Sequence, residues 1–120
     1  MIMKTRYTDI KPYQTRDGSQ IRELMHPDTH GNQQQSLAQA TVPAGTVTLL
    51  HKHRVSEEIY HFTEGRGQMT LGEEQFEVQS GDTVCIPPNT PHKLLNDGET
   101  PLVLFCCCSP PYSHEDTELL

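Results

Sequence analysis

Between Ala44 and Cys108 the chain is a series of short apolar runs cut apart by turn residues. Val47–His53, Glu58–Phe62, Gln68–Leu71, Gln75–Val78, Thr83–Ile86, His92–Leu95 and Leu102–Cys107 are rich in Val, Ile, Thr and aromatic side chains. Gly45, Gly65, Gly72, Gly81, Pro87-Pro88-Asn89 and Asn96-Asp97-Gly98 punctuate them. Strands at a spacing of roughly eight to twelve residues are the rhythm of an antiparallel barrel or sandwich. Upstream, Asp17-Gly18 signals a turn before Ile21–Met25, and His26–Asn32 reads as loop. Gln33–Ala40 leaves helix open, while Thr41-Val42-Pro43 favours an extended continuation. Ser109–Leu120 opens on Pro110-Pro111 and carries Glu115, Asp116 and Glu118 without a basic partner, so a loosely held acidic tail is expected there. The expected organisation is one domain: residues 1–40 as an N-terminal segment with added strands, 41–108 as a barrel core and 109–120 as the tail.

Composition narrows the architecture. With 120 residues, 33% of them apolar, 6% aromatic and no tryptophan, the chain is too lean for a many-layered core. A small closed sheet needs only every second strand residue to be apolar, which suits it. Nine basic against sixteen acidic residues leave a net charge of −7, which argues against nucleic-acid and anionic-membrane partners. No apolar run approaches the ~20 residues of a membrane span, and Met1–Tyr7 lacks a signal peptide's apolar stretch. Cys85 and the adjacent Cys106, Cys107 and Cys108 cannot build a disulfide framework, because neighbours on a strand point to opposite faces. Free thiols and no leader give a cytoplasmic expectation.

Chemistry concentrates in two segments. His51 and His53 are two apart in a strand-like stretch, so both imidazoles share a face, about 7 Å apart along the backbone. Glu58 lies at an odd offset from His53 and needs a turn or bulge through Arg54–Glu57 to return to the same interior. Glu57 competes with it for that role. Tyr60 and Phe62 share the face of Glu58, and His61 points away. In the second segment Gly81-Asp82 starts a strand and Pro87-Pro88 stops it. Asn89 tolerates a left-handed turn, after which His92 opens the next strand. Three histidines and a carboxylate form a mixed nitrogen and oxygen set suited to Fe, Mn, Ni, Co, Zn or Cu rather than to Ca or Mg.

These segments resemble the paired motifs of the cupin superfamily. Gly45, His51, His53, Glu58 and Gly65 stand at the spacing of the first motif, and Gly81, Pro87, Asn89, His92 and Asn96 at that of the second, with Asn89 replacing a glycine. The fifteen residues between Gly65 and Gly81 match the short spacer of small single-domain cupins. The resemblance implies an all-β jelly-roll barrel in which His51, His53, Glu58 and His92 hold one divalent transition ion (Zn, Fe, Mn or Ni), and a homodimer. The gap of six residues to Gly65 favours Glu58 over Glu57. The flanks, Tyr13-Gln-Thr-Arg-Asp17-Gly18-Ser19 through His26-Pro27 and Cys106 through Asp116, are similar to a widespread set of small cupins. They also resemble the zinc-binding cupin part of hydrazine synthetases, where it accompanies a methionyl-tRNA-synthetase-like domain. That second resemblance implies an ion assisting rearrangement of an O-aminoacyl hydroxylamine to a hydrazine, beside a separate synthetase partner.

Around such a centre Tyr60, Phe62, Leu94, Leu104 and Cys106 are candidate pocket lining, with plain core packing the simpler role for each. If Leu102 and Leu104 face inward, so do Cys106 and Cys108, while Cys107 faces out. Cys106 and Cys85 are expected to fill core space. His26 and His30 are expected as solvated loop histidines, and Arg22 as an ion-pair partner of a carboxylate or of an anionic substrate. Fold does not dictate function. The favoured expectation is a metal-dependent enzyme on a small molecule, of oxygenase, isomerase or lyase type. A ligand-sensing module without turnover and a purely structural metal site are the alternatives.

Overall fold

The computed structural model describes residues 3–120. Eleven strands are found among them: β1 (Tyr13–Gln14), β2 (Gln20–Met25), β3 (Ser36–Val42), β4 (His51–His53), β5 (Glu57–Glu64), β6 (Arg66–Leu71), β7 (Glu74–Gln79), β8 (Thr83–Ile86), β9 (His92–Leu95), β10 (Leu102–Ser109) and β11 (Thr117–Leu119). They form a six-stranded sheet ordered β1-β2-β3-β10-β5-β8 and a five-stranded sheet ordered β11-β4-β9-β6-β7, as the jelly-roll expectation requires. The inner faces supply one core. Val42, Phe62, Leu102 and Leu104 come from the first sheet and Met69, Val78 and Leu94 from the second, all nearly or wholly buried. In β5 Glu58, Tyr60 and Phe62 are buried while Glu57, Ile59 and His61 are exposed, the period-two pattern of a sheet with one wet face.

Several expectations change. His26–Asn32 is not all loop: Pro27–His30 form one helical turn, α1, with proline in the first turn and Gly31 left-handed at its end. Gln33–Ala40 holds no helix: from Ser36 onward it is strand, and Ser36–Val42 pairs with β10 along its whole length. Most of the 109–120 segment is not a loose tail. Its β11 pairs with β4, placing Thr117 opposite His53 and Leu119 opposite His51. The Asp116 carboxylate accepts the Val55 and Ser56 amides at 2.9 and 3.1 Å, and Arg54 donates to the Glu115 carbonyl at 2.7 Å. Charge counting within the segment missed these partners because they lie some sixty residues away. Cys85 is exposed rather than core, since alternation along β8 turns Ile86 inward and Cys85 to the outer face, opposite the exposed Ile59. Among the described residues Arg22 pairs with no carboxylate: it donates to the Ile10 carbonyl and lies over the Tyr7 ring, 4.4 Å from the centroid. No helix among the described residues is long and apolar enough to cross a membrane.

Gly65 closes β5 onto β6 at φ +82°, and a Cβ there would press on the Pro101 carbonyl. Gly65→Ala is therefore expected to destabilise the fold by about 1–3 kcal/mol from the backbone conformation alone. Chemical denaturation checks this, and an unchanged midpoint would contradict it.

Candidate metal centre

Two strands of the five-stranded sheet bring the histidines together. His51 on β4 is the direct cross-strand partner of His92 on β9, and His53 lies two residues along on the same face. One ring nitrogen from each of the three lies within 4.8 Å of those of the other two, and all three residues are buried. The fold also settles which nitrogen carries the proton. The Nδ1 of His51 faces the Leu49 carbonyl at 2.8 Å, and that of His92 faces the Thr90 carbonyl at 2.9 Å. A carbonyl only accepts, so both Nδ1 atoms must be donors. His53 Nδ1 lies 3.0 Å from Thr117 Oγ1, whose own hydrogen goes to the Ser113 carbonyl at 2.8 Å. That hydroxyl is left to accept, and His53 must donate as well. With the rings neutral, as metal ligation requires, all three Nε2 atoms then present lone pairs.

Glu58 faces two of those lone pairs. Its Oε1 is 3.2 Å from His53 Nε2 and 3.5 Å from His92 Nε2. Acceptors facing acceptors repel, and both Glu58 Oε1 and His92 Nε2 are buried without a hydrogen-bond partner among the described residues. A cation between them would resolve the conflict. Burial pushes the Glu58 carboxyl up, but positive charge at the His53 and His92 imidazole edges, where Nε2 protons or a bound cation would sit, outweighs it and holds the group below the usual carboxylate range. Burial, then the neighbouring His92, holds His51 below the ordinary imidazole value, which favours the neutral ligand form. Cys108 lies opposite Glu58 across β10 and β5, and its Sγ–H donates to Glu58 Oε2 at 3.2 Å. Burial, then the Glu58 charge, pushes the Cys106 and Cys108 thiols up, so both stay protonated. A protonated thiol orients a carboxylate; it does not compete as a ligand.

His51, His53 and Glu58 border an inner cavity of about 50 Å³. At ~10–15 Å³ per water, that is space for a few waters or a small ligand's reacting end. Tyr60, Leu94, Leu104 and Cys106 line it; Phe62 does not, and instead packs its ring edge-on to Tyr60 in the core. Glu57 faces solvent, as does His61, which meets Thr83 on the outer face. His26 is buried rather than solvated. Its Nδ1 accepts the Asp28 amide and its Nε2 meets the Tyr112 carbonyl at 2.7 Å, tying α1 to the C-terminal segment. Sequence reasoning missed Asp17, Thr117 and Tyr112. Asp17 read only as half of a turn, and the other two sat in the supposed tail.

The chain matches the Cupin domain family over residues 38–108. It belongs to the cupin family. Across 99% of its length it is 62% identical to the uncharacterized protein MJ1618 of Methanocaldococcus jannaschii, of which it covers 95%. Among solved structures it is similar to an oxalate decarboxylase of Lactobacillus farciminis, with a TM-score of 0.81 and 24% identity over 94% of this chain. The alignment covers 34% of that larger chain. It also resembles Pac13, a nucleoside dehydratase, with a TM-score of 0.80 at 15% identity over 100% of this chain and 92% of the other. At these identities the structural likenesses speak for the fold alone.

The remaining cupin-motif residues hold the barrel around the centre. Asn89 adopts φ 61°, doing the work of the glycine in the family pattern, and its amide donates to the His53 carbonyl at 2.6 Å. Asn96 is wholly buried, with its amide nitrogen on the Val42 and Thr100 carbonyls and its oxygen on the Gly98 amide. The second motif is thus stitched to the first through backbone contacts. Thr117→Val keeps the shape of this cupin's last strand and removes the acceptor that fixes His53. Metal affinity is expected to fall about 10–100-fold, measured by competition with a chromophoric chelator. Unchanged affinity would show that His53 needs no such anchor.

Proposed function

We propose that this cupin is a metal-dependent enzyme acting on a small molecule, with one divalent transition ion held by His51, His53, His92 and Glu58. The observation that carries this is the set of three committed Nδ1–H groups, which leaves three buried Nε2 lone pairs beside a buried carboxylate oxygen. A proton would relieve one of those contacts at a time, whereas a metal ion would satisfy them together. Zn, Fe, Mn and Ni all accept three imidazoles and a carboxylate. When bound, such an ion supplies Lewis acidity toward a carbonyl, hydroxyl or water oxygen. The protein's share is to hold its ligands in one tautomer, keep Glu58 oriented through Cys108, and shut bulk water out of a small cavity.

Two features support turnover over storage of a structural ion. The cavity leaves space beside His51, His53 and Glu58 for a reacting group. The solved relatives are named for decarboxylation and for dehydration, and a Lewis-acidic centre with a free position would serve lyase chemistry of that kind here. A homodimer and a reducing compartment belong to the same proposal. The four cysteines are unpaired, and Cys106–Cys108 diverge to alternate faces of β10, which fits a reducing setting.

Elemental analysis of protein purified without an affinity tag should find about one transition ion per chain. His92→Ala should lose most of that ion while the far-ultraviolet circular dichroism stays that of a β-barrel, because the apolar core supplies most of the stability. Equal retention of metal by the variant would contradict the assignment. Joint loss of ion and fold would favour a structural metal instead.

A further inference from the structure

Asp17 flanks the third histidine. Its Oδ1 accepts the Ser19 amide at 2.9 Å and the Ser19 hydroxyl at 2.7 Å, which fixes the carboxylate in the turn between β1 and β2. The Leu49 amide donates to the Asp17 carbonyl at 2.7 Å, locking that turn beside β4. Oδ2 is left free, 3.8 Å from His51 Nε2, with the side chain only 14% exposed. Because that Nε2 carries a lone pair, the two atoms are not a hydrogen-bonded pair. They border the cavity together.

The wall beyond Asp17 has the same character. Glu23 Oε1 is buried without a hydrogen-bond partner among the described residues, while Oε2 accepts from Tyr13 at 3.3 Å. Tyr13, Glu23 and Tyr112 are shared with an outer vestibule of about 480 Å³, which adds Asp28 and Glu115. Among the described residues neither space is lined by lysine or arginine. Arg16, next to Asp17 in sequence, donates instead to the His114 and Thr117 carbonyls. A divalent ion among three neutral imidazoles would have its charge cancelled by Glu58 and Asp17. An incoming anion would then meet no net positive charge and two carboxylate oxygens, Asp17 Oδ2 and Glu23 Oε1, without donors. A ligand carrying N–H or O–H groups would satisfy them.

We propose that Asp17 is the substrate-facing carboxylate of this centre and that, with Glu23, it selects a neutral or cationic small molecule bearing N–H or O–H donors over anions such as oxalate. This rests on the metal centre proposed above. The test uses the full chain loaded with cobalt(II), whose visible absorption reports on binding, with azide, oxalate and 2-aminoethanol as probes. Asp17→Asn keeps the acceptor for Ser19 and removes the charge. It should bind azide and oxalate more tightly, on the order of tenfold to a hundredfold at an effective dielectric near 20, and 2-aminoethanol more weakly. Glu23→Gln should shift all three in the same directions, which keeps the proposal open to refutation if Asp17→Asn fails to fold. Wild-type protein that takes up no cobalt would overturn the metal centre and this proposal with it. Loaded variants whose probe affinities match wild type would overturn the role of Asp17 and Glu23 alone. Loss of cobalt from a folded Asp17→Asn would make Asp17 a ligand and overturn its substrate-facing role.

Discussion

Acceptor groups forced together inside a desolvated barrel are the constraint on which the rest depends. Three Nε2 lone pairs and Glu58 Oε1 are held at close range while every adjacent Nδ1–H is spent on a backbone or hydroxyl oxygen. In water such an arrangement would rotate apart. Here the imidazoles are buried by more than nine-tenths and their outer edges are fastened, so the rings cannot turn to relieve it. Unpaired buried acceptors cost on the order of 1–3 kcal/mol each. A fold that keeps them would gain stability from a cation that satisfied them together.

Each layer of the fold contributes to holding that conflict in place. Period-two alternation puts His51 and His53 on one face of β4, and antiparallel register sets His92 opposite His51. β5 lies in the other sheet, so Glu58 approaches the histidines from across the barrel, braced by Cys108 on its neighbour β10. The chain's last strand closes the set, because Thr117 on β11 orients His53. Residues from the two ends of the sequence therefore build the site that the central motifs begin.

The barrel and the histidine group were legible because their signals are local and periodic. Turn residues at regular intervals marked the strands, and His51, His53, Glu58 and His92 stood at spacings that resemble a known pattern. Glu58 was separable from Glu57 on the same ground, and burial places Glu58 inside and Glu57 outside. What stayed hidden depends on contacts distant in sequence. Thr117 lies sixty-four positions from His53 and sits in a segment whose composition suggests disorder. Asp17 looks like an ordinary turn former until the first hairpin folds over the barrel mouth. Arg22 was misjudged for a related reason, since the folded N-terminal segment brings the Tyr7 and Ile10 carbonyls to it, and Cys85 was misjudged because which face of β8 turns inward is set by its pairing with β5.

Anomalous diffraction from a crystal of the protein grown with zinc, recorded on both sides of the zinc absorption edge, tests the central claim most directly. A single strong peak within bonding distance of His51, His53 and His92 Nε2 and of Glu58 Oε1 is the predicted result. A barrel whose three imidazoles carry no peak, or whose zinc sits on other side chains while Glu58 hydrogen-bonds a ring nitrogen, would contradict it.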